Sequence, residues 1–327
     1  MEHRGEQVDM RSKLYNSRNF NRIAAFVLVV GAVLGVGMVY NKITKQSLEM
    51  DTNEIKESSH RLHSTEEMDV IEGQLKERAE FLADFYKTPE NLLLIYDYVS
   101  RDRNNGVAVI RELIHDGPPA VIMSRSRLMI PKSLPAHVNT SDWQIDYTHV
   151  PSGYIRTMLS VAYALGALNS SRGSVQLLTL GLGGGSVNVF LRHTYENVNV
   201  TAVEIDAAMV EMAKKYFGFV EDERQHCVVD DGIHFLSECT RKGKKFDVII
   251  LDACKNTEGF VECPQKEFMD SHVIQLIARA LSEQGILLIN LLTTGDGAVS
   301  PDTVEKAFEE SLKWCAHFDL PGVTNKV

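Results

Sequence analysis

The chain holds 327 residues, 44% hydrophobic, 24% charged and 8% aromatic, ordinary globular usage that excludes a disordered, collagenous or disulfide-dense chain. Five cysteines (Cys227, Cys239, Cys254, Cys263 and Cys315) have no C-x-x-C spacing and indicate neither a disulfide framework nor a zinc site. The formal charge of −10 is uneven, with 29 basic against 41 acidic residues beyond position 22; so acidic a surface repels phosphate backbones, and nucleic acid is not expected as a partner.

Residues 1–22 form a tail with five basic and three acidic groups, followed by Ile23 to Tyr40, an uncharged apolar run of 18 residues. At 1.5 Å per residue a helix there covers about 27 Å, close to the thickness of a thin hydrocarbon core, so residues 23–40 are expected to span a lipid bilayer once. A cleaved signal peptide is the competing reading, but the charged leader is long and no A-x-A site follows the small residues. Glu2, Glu6 and Asp9 argue against a mitochondrial presequence. Five Lys/Arg before the run against Lys42, Lys45 and Lys56 after it place the N-terminus in the cytosol and the remainder across the membrane, a type II anchor in an unspecified organelle.

Residues 41–100, with seven basic and thirteen acidic groups, read as an acidic stalk and helix. Met68, Ile71, Leu75, Leu82 and Phe85 give that helix a packing face. Residues 101–150 read as a small β-hairpin subdomain: VAVIREL, the turn His115-Asp116-Gly117-Pro118-Pro119, then AVIMSRSRLMI. Tyr154 to Leu168 has helical spacing and leads into the larger domain, residues 151–327. There VQLLTLG, VNVTAVEI, HCVVDDG, FDVIILD and GILLINLL alternate with helical stretches. Such alternation specifies a doubly wound, mainly parallel α/β sheet of Rossmann-like type, with a binding crevice at the C-terminal ends of its strands.

The chemistry-bearing residues fall at those ends. Gly181-Leu182-Gly183-Gly184-Gly185-Ser186 makes a turn whose missing side chains let backbone N–H groups and a helix N-terminus approach a ligand. Glu204, 19 residues beyond Gly185, can accept both hydrogens of a ribose diol, and Ile205 follows it in the crevice. Asp231-Gly232 ends the third strand, where the carboxylate can accept from an adenine amino group, cap the next helix, or both. Asp252 ends the fourth strand as the candidate catalytic residue, placed to orient or deprotonate an acceptor amine; capping or cofactor orientation is its alternative.

The order G-x-G-x-G, a strand ending in Glu, Asp-Gly after the third strand and FDVIILD in the fourth resembles the S-adenosylmethionine-dependent methyltransferases of the seven-strand class, in the branch that contains spermidine synthase. GLGGGSVNVFL, AVEIDAAMVEMAKKYFGF, DDGIHFL, ECPQKEF and GILLINLL are similar to the C-terminal domain of the dual methyltransferases that modify a lysine and the N-terminus of elongation factor 1-alpha. The resemblance covers residues 107–327. It implies S-adenosyl-L-methionine as cofactor, with Gly181, Gly183 and Gly185 beside the methionine moiety, Glu204 at the ribose and Asp231 at the adenine; Gly184, Ile205 and Gly232 complete the expected cofactor-binding set. It further implies a protein or small amine acceptor, with a second copy of the chain as a candidate partner.

Where spermidine synthases read GGGDGG and DSSDP, this chain has GLGGGS and Asp252-Ala253-Cys254-Lys255-Asn256, so Gly184 and Lys255 replace two acids. A cation at Lys255 opposes a diamine, since like charges about 4 Å apart repel by about 1 kcal/mol even in water. Aminopropyl transfer and a catalytically silent tethered scaffold stay as alternatives. Tyr154, Asp146 and His149 lie where the family has an acceptor-side segment but read as structural, and Cys254 and Cys263 read as loop or packing residues. Of the sequons at Asn139, Asn169 and Asn199, the last falls in an expected strand. Trp314 to Leu320 is expected to form a sixth strand and Val323 to Val327 only the start of a seventh.

Overall fold

The computed structural model describes residues 65–327 apart from 88–91, 103–104, 117–119, 151, 169–172, 258–259, 295–299, 313 and 318–326. The basic tail, the apolar run 23–40 and Asn169 lie outside the described residues, among which no helix is long and apolar enough to cross a membrane.

Helix α1 (Thr65–Arg78) stops short of Leu82 and Phe85, so the expected helical face does not continue. Two-residue β1 (Ala79–Glu80) is followed by β2 (Ala83–Lys87) and β3 (Leu92–Arg101). The stalk thus gives way to sheet, and the reason is a period of two: Leu93, Ile95 and Asp97 are buried while their neighbours are not. With β4 (Val107–His115) and β5 (Val121–Leu128), the expected hairpin, they make an antiparallel sheet of order β2-β3-β4-β5. Short β6 (Val138–Asn139) returns to pair with β1 in parallel.

Helix α2 (Gly153–Ala164) precedes the expected α/β domain. Its elements are β7 (Val175–Leu180), α3 (Ser186–Thr194), β8 (Val198–Glu204), α4 (Ala207–Tyr216), β9 (Gln225–Val229), α5 (Gly232–Lys242) and β10 (Phe246–Leu251). The hairpin β11 (Lys255–Thr257) and β12 (Phe260–Cys263), helix α6 (Ser271–Ala280), β13 (Leu281–Ile289), β14 (Leu292–Thr294) and α7 (Pro301–Glu309) follow. The parallel sheet has the order β13-β10-β7-β8-β9. The chain starts at its centre, winds outward through β8 and β9, then returns to the other side with β10; the switch between β7 and β10 opens the crevice. Both faces are covered, one by a core including Met158, Leu177, Leu191 and Val248, the other by one including Leu178, Leu236, Ile249 and Ile277. Residues 314–317 form no strand, and the rest of the expected sixth strand lies outside the described residues.

Cys254 and Cys263 form a disulfide with Cα atoms 4.4 Å apart, correcting the expectation of two loop thiols. Hairpin register explains it. Lys255 pairs with Glu262, so the two cysteines are the next opposed residues, a relation that depends on the turn and that spacing alone does not reveal.

One buried ion pair joins the antiparallel sheet to the α/β domain. Arg111 on β4 is 2% exposed and donates through Nε and Nη2 to both carboxylate oxygens of Asp97 on β3, each at 2.8 Å. Its remaining reach goes to the carbonyls of Tyr216, at the end of α4 (2.9 Å), and Thr140 (2.8 Å). Truncating one partner of such a pair strands a buried charge, which typically costs about 3–5 kcal/mol. Arg111→Ala is therefore expected to lower unfolding free energy by that order in chemical denaturation, and pairing it with Asp97→Leu to recover part of the loss.

Candidate functional site

Five strand ends meet around a cavity of about 270 Å³. Gly181, directly after β7, has φ +93°, and a Cβ there would lie 2.4 Å from the carbonyl oxygen of Asp252 after β10. Glycine is thus what allows the two central strands to end side by side, with Asp252 N–H donating to the Leu180 carbonyl at 2.9 Å. Gly183 also has positive φ, +55°, and faces Ser124. Gly184 and Gly185 do not line the cavity: the Gly184 N–H donates to Ser124 Oγ at 2.8 Å, and Gly185 packs against Leu182 and Phe219 as it enters α3.

Glu204, at the end of β8, uses both carboxylate oxygens on backbone. Oε2 accepts from the N–H groups of Leu182 (3.0 Å) and Gly183 (3.4 Å), and Oε1 from that of Asp206 (3.1 Å). Burial pushes its carboxyl above the usual range, and these three donors pull it back. The carboxylate therefore shapes the glycine turn; Oε2 spends both lone pairs on it, while Oε1, with one donor, keeps a second lone pair for a ligand. Ile205 beside it is 68% exposed at the cavity, an apolar surface placed for a planar ring or sugar edge. Asp231 caps α5 through Oδ1, accepting from Ile233 (2.8 Å) and His234 (3.0 Å). Gly232 lets Phe268 approach, a Cβ there falling 3.1 Å from the ring.

Asp252 is held from two sides. The Tyr154 hydroxyl, from α2, donates to Oδ2 at 2.9 Å, and Asn290 Nδ2, after β13, donates to Oδ1 at 2.7 Å. Burial raises Asp252 to about 6 and outweighs the lowering effect of both donors. Burial and the neighbouring carboxylate keep the Tyr154 phenol protonated far above neutrality. Cys254 Sγ, in its disulfide, lies 3.7 Å from Asp252 Oδ1.

The cavity brings together Gly181, Gly183, Glu204, Ile205, Asp231, Gly232 and Asp252 as the sequence implied. It also takes in residues that sequence reasoning passed over. Tyr154 is a site residue, whereas Asp146 and His149 lie outside the lining; Asp146 is occupied by Thr148. Asn290 and Ser124 were missed; the signal for Asn290 is a polar side chain interrupting the apolar run GILLINLL, just as strand β13 ends. Lys255 is exposed and not among the lining residues, so the expected repulsion of a diamine at this position does not apply. Among the described lining residues stand five carboxylates (Glu204, Asp230, Asp231, Asp252, Glu267) and no Lys, Arg or His. Such walls favour cations.

The spermine/spermidine synthase domain model matches residues 169–292. A Drosophila melanogaster protein named eEF1A lysine and N-terminal methyltransferase homolog is 34% identical over 117 residues, 36% of this chain and 17% of its own length. The Danio rerio eEF1A lysine and N-terminal methyltransferase is 28% identical over 162 residues, 48% of this chain and 24% of its own. This chain thus matches a quarter or less of either relative. Among solved structures, human methyltransferase-like protein 13 in complex with SAH aligns at 26% identity and TM-score 0.48, over 54% of this chain and 80% of that one. Residues 169–292 are thus similar to the spermine/spermidine synthase domain.

Proposed function

We propose that the chain is an S-adenosylmethionine-dependent methyltransferase whose acceptor is an amine, on a protein as the relatives' names suggest or on a small molecule. The observation that carries this reading is the acid-lined cavity at the sheet's switch point, with no Lys, Arg or His among its described lining residues and with Asp252 clamped in its wall. The donor's fit rests on residues already described: the Gly181–Gly183 turn for the methionine moiety, Glu204 and Ile205 for the ribose, and Asp231 with Gly232 for the adenine. When bound, S-adenosylmethionine supplies an electrophilic methyl group on a sulfonium cation, a charge that five surrounding carboxylates favour.

The residues' task is then alignment and proton removal. An ammonium acceptor must lose a proton before its nitrogen lone pair can react, and Asp252 is the carboxylate positioned to take it, while Tyr154 and Asn290 fix its plane. Since Asp252 is raised to about 6, it is ionised and able to accept at pH 7.5, and it becomes protonated as pH falls through 6.

Calorimetric titration of the full chain with S-adenosylmethionine tests the donor assignment. Wild type is expected to bind stoichiometrically and Glu204→Ala to bind at least about tenfold more weakly, the loss expected for hydrogen bonds to a charged group; absence of binding by folded wild type would refute the assignment. Donor binding without methyl transfer to any amine would instead favour a silent scaffold, and preference for the decarboxylated donor would favour aminopropyl transfer. For the chemical step, the maximal transfer rate is expected to fall about tenfold per pH unit below 6. Asp252→Asn should remove that acidic limb and lower the rate by roughly 10²–10⁴ without a comparable loss of donor affinity.

We also propose that residues 23–40 anchor the chain with its C-terminal domain translocated. The Cys254–Cys263 disulfide supports this reading, because such bonds persist in oxidising compartments. In sealed microsomes the domain is expected to resist added protease until detergent is present; digestion without detergent would place it on the cytosolic side.

A further inference from the structure

The acid-rich cavity raises a question of donor selection. S-adenosylmethionine carries a sulfonium, an ammonium and a carboxylate, whereas its decarboxylated form keeps only the two cations. Walls with five carboxylates and no cation among the described lining residues favour the doubly cationic form on charge alone. A carboxylate admitted to this space needs neutral hydrogen-bond donors.

Several polar side chains of the lining already hydrogen-bond within the protein away from the glycine turn. The Tyr154 hydroxyl and the Asn290 amide donate to Asp252, Gln265 Nε2 to the Cys254 carbonyl, and the Ser186 hydroxyl to the Arg125 carbonyl. Thr179 lies within β7 at 1% exposure and accepts from Asn188. Ser124 is different. It sits on β5 of the antiparallel sheet and reaches across to the glycine turn, where its Oγ accepts the Gly184 N–H at 2.8 Å. A hydroxyl that accepts still has one proton to give, and no described residue receives it. Its Oγ lies 3.1 Å from where a Cβ of Gly183 would be and its Cβ 2.8 Å from that of Gly184, so the turn must be bare glycine for Ser124 to stand there.

We infer that Ser124 is a specificity-determining residue, its hydroxyl receiving the carboxylate of the donor's amino-acid tail and so favouring the carboxylated donor over the decarboxylated one. The inference rests on the donor reading above, with the tail at the Gly181–Gly183 turn. It assigns the antiparallel sheet a part in cofactor choice.

The test compares affinities of the full chain for S-adenosylmethionine and for decarboxylated S-adenosylmethionine, by calorimetry, in wild type, Ser124→Ala and Ser124→Cys. A hydrogen bond to a charged group is worth about tenfold or more. Ser124→Ala is expected to weaken the carboxylated donor by that factor and to leave the decarboxylated one within about twofold. Ser124→Cys, which keeps the side-chain shape with a weaker donor, should fall between and serves where the alanine variant fails to fold. Parallel weakening toward both donors would show that Oγ only secures the Gly184 N–H and would overturn the inference, as would an unchanged preference. Wild type that binds neither donor refutes the donor reading itself and is seen before any variant is made.

Discussion

The site depends on how closely the ends of β7 and β10 approach. A side chain at Gly181 would overlap the Asp252 carbonyl, so this one missing Cβ lets the Asp252 N–H reach the Leu180 carbonyl. Once that contact is made, the glycine turn and Asp252 share one wall of the cavity. Glu204 reinforces it by accepting from Leu182 and Gly183. The residue proposed to hold the ribose is also the residue that holds the turn, which on that proposal ties ligand binding to local structure.

The antiparallel sheet completes the cavity from outside the Rossmann-like domain. Val121, Ile122, Met123 and Ser124 of β5 line it, and their placement depends on anchoring the sheet at more than its hairpin turns. Arg111 supplies one anchor through Asp97, Tyr216 and Thr140. Glu112, the next residue, supplies another by accepting from Tyr96, Tyr98 and Arg125. Alternation along β4 sends these two neighbours to opposite faces, so one residue step ties the sheet both to the domain and to β5 itself.

The parallel core was legible because strands buried on both faces read as short apolar runs, and all five lie where those runs stand. The glycine turn, Glu204, Asp231 and Asp252 were legible because each follows such a run directly. The sheet formed from residues 83–101 was not, because its period-two burial is masked by acids and tyrosines: Asp97 is buried only by virtue of Arg111, fourteen residues on. Ser124 was hidden for a related reason. Its role comes from a contact sixty residues away, with Gly184, and no local pattern marks it. The disulfide, likewise, depends on hairpin register rather than on cysteine spacing.

That disulfide bears on the geometry of the proposed base. Chain-entropy reasoning gives about 3 kcal/mol for closing a loop of roughly ten residues, but its position matters more than its magnitude. Cys254 is two residues beyond Asp252 and its sulfur lies against that carboxylate, while Gln265, two residues past Cys263, returns hydrogen bonds to Ala253 and Cys254. The segment leaving β10 is thus pinned on both sides of the hairpin immediately after the residue it must hold still. A proton acceptor enclosed enough to be raised to about 6 gains from such fixation, since its donors act only in a narrow range of distance and angle. Tyr154 and Asn290 set the carboxylate's plane, Gly181 sets its backbone, and the cross-linked hairpin keeps the connecting segment from relaxing toward solvent.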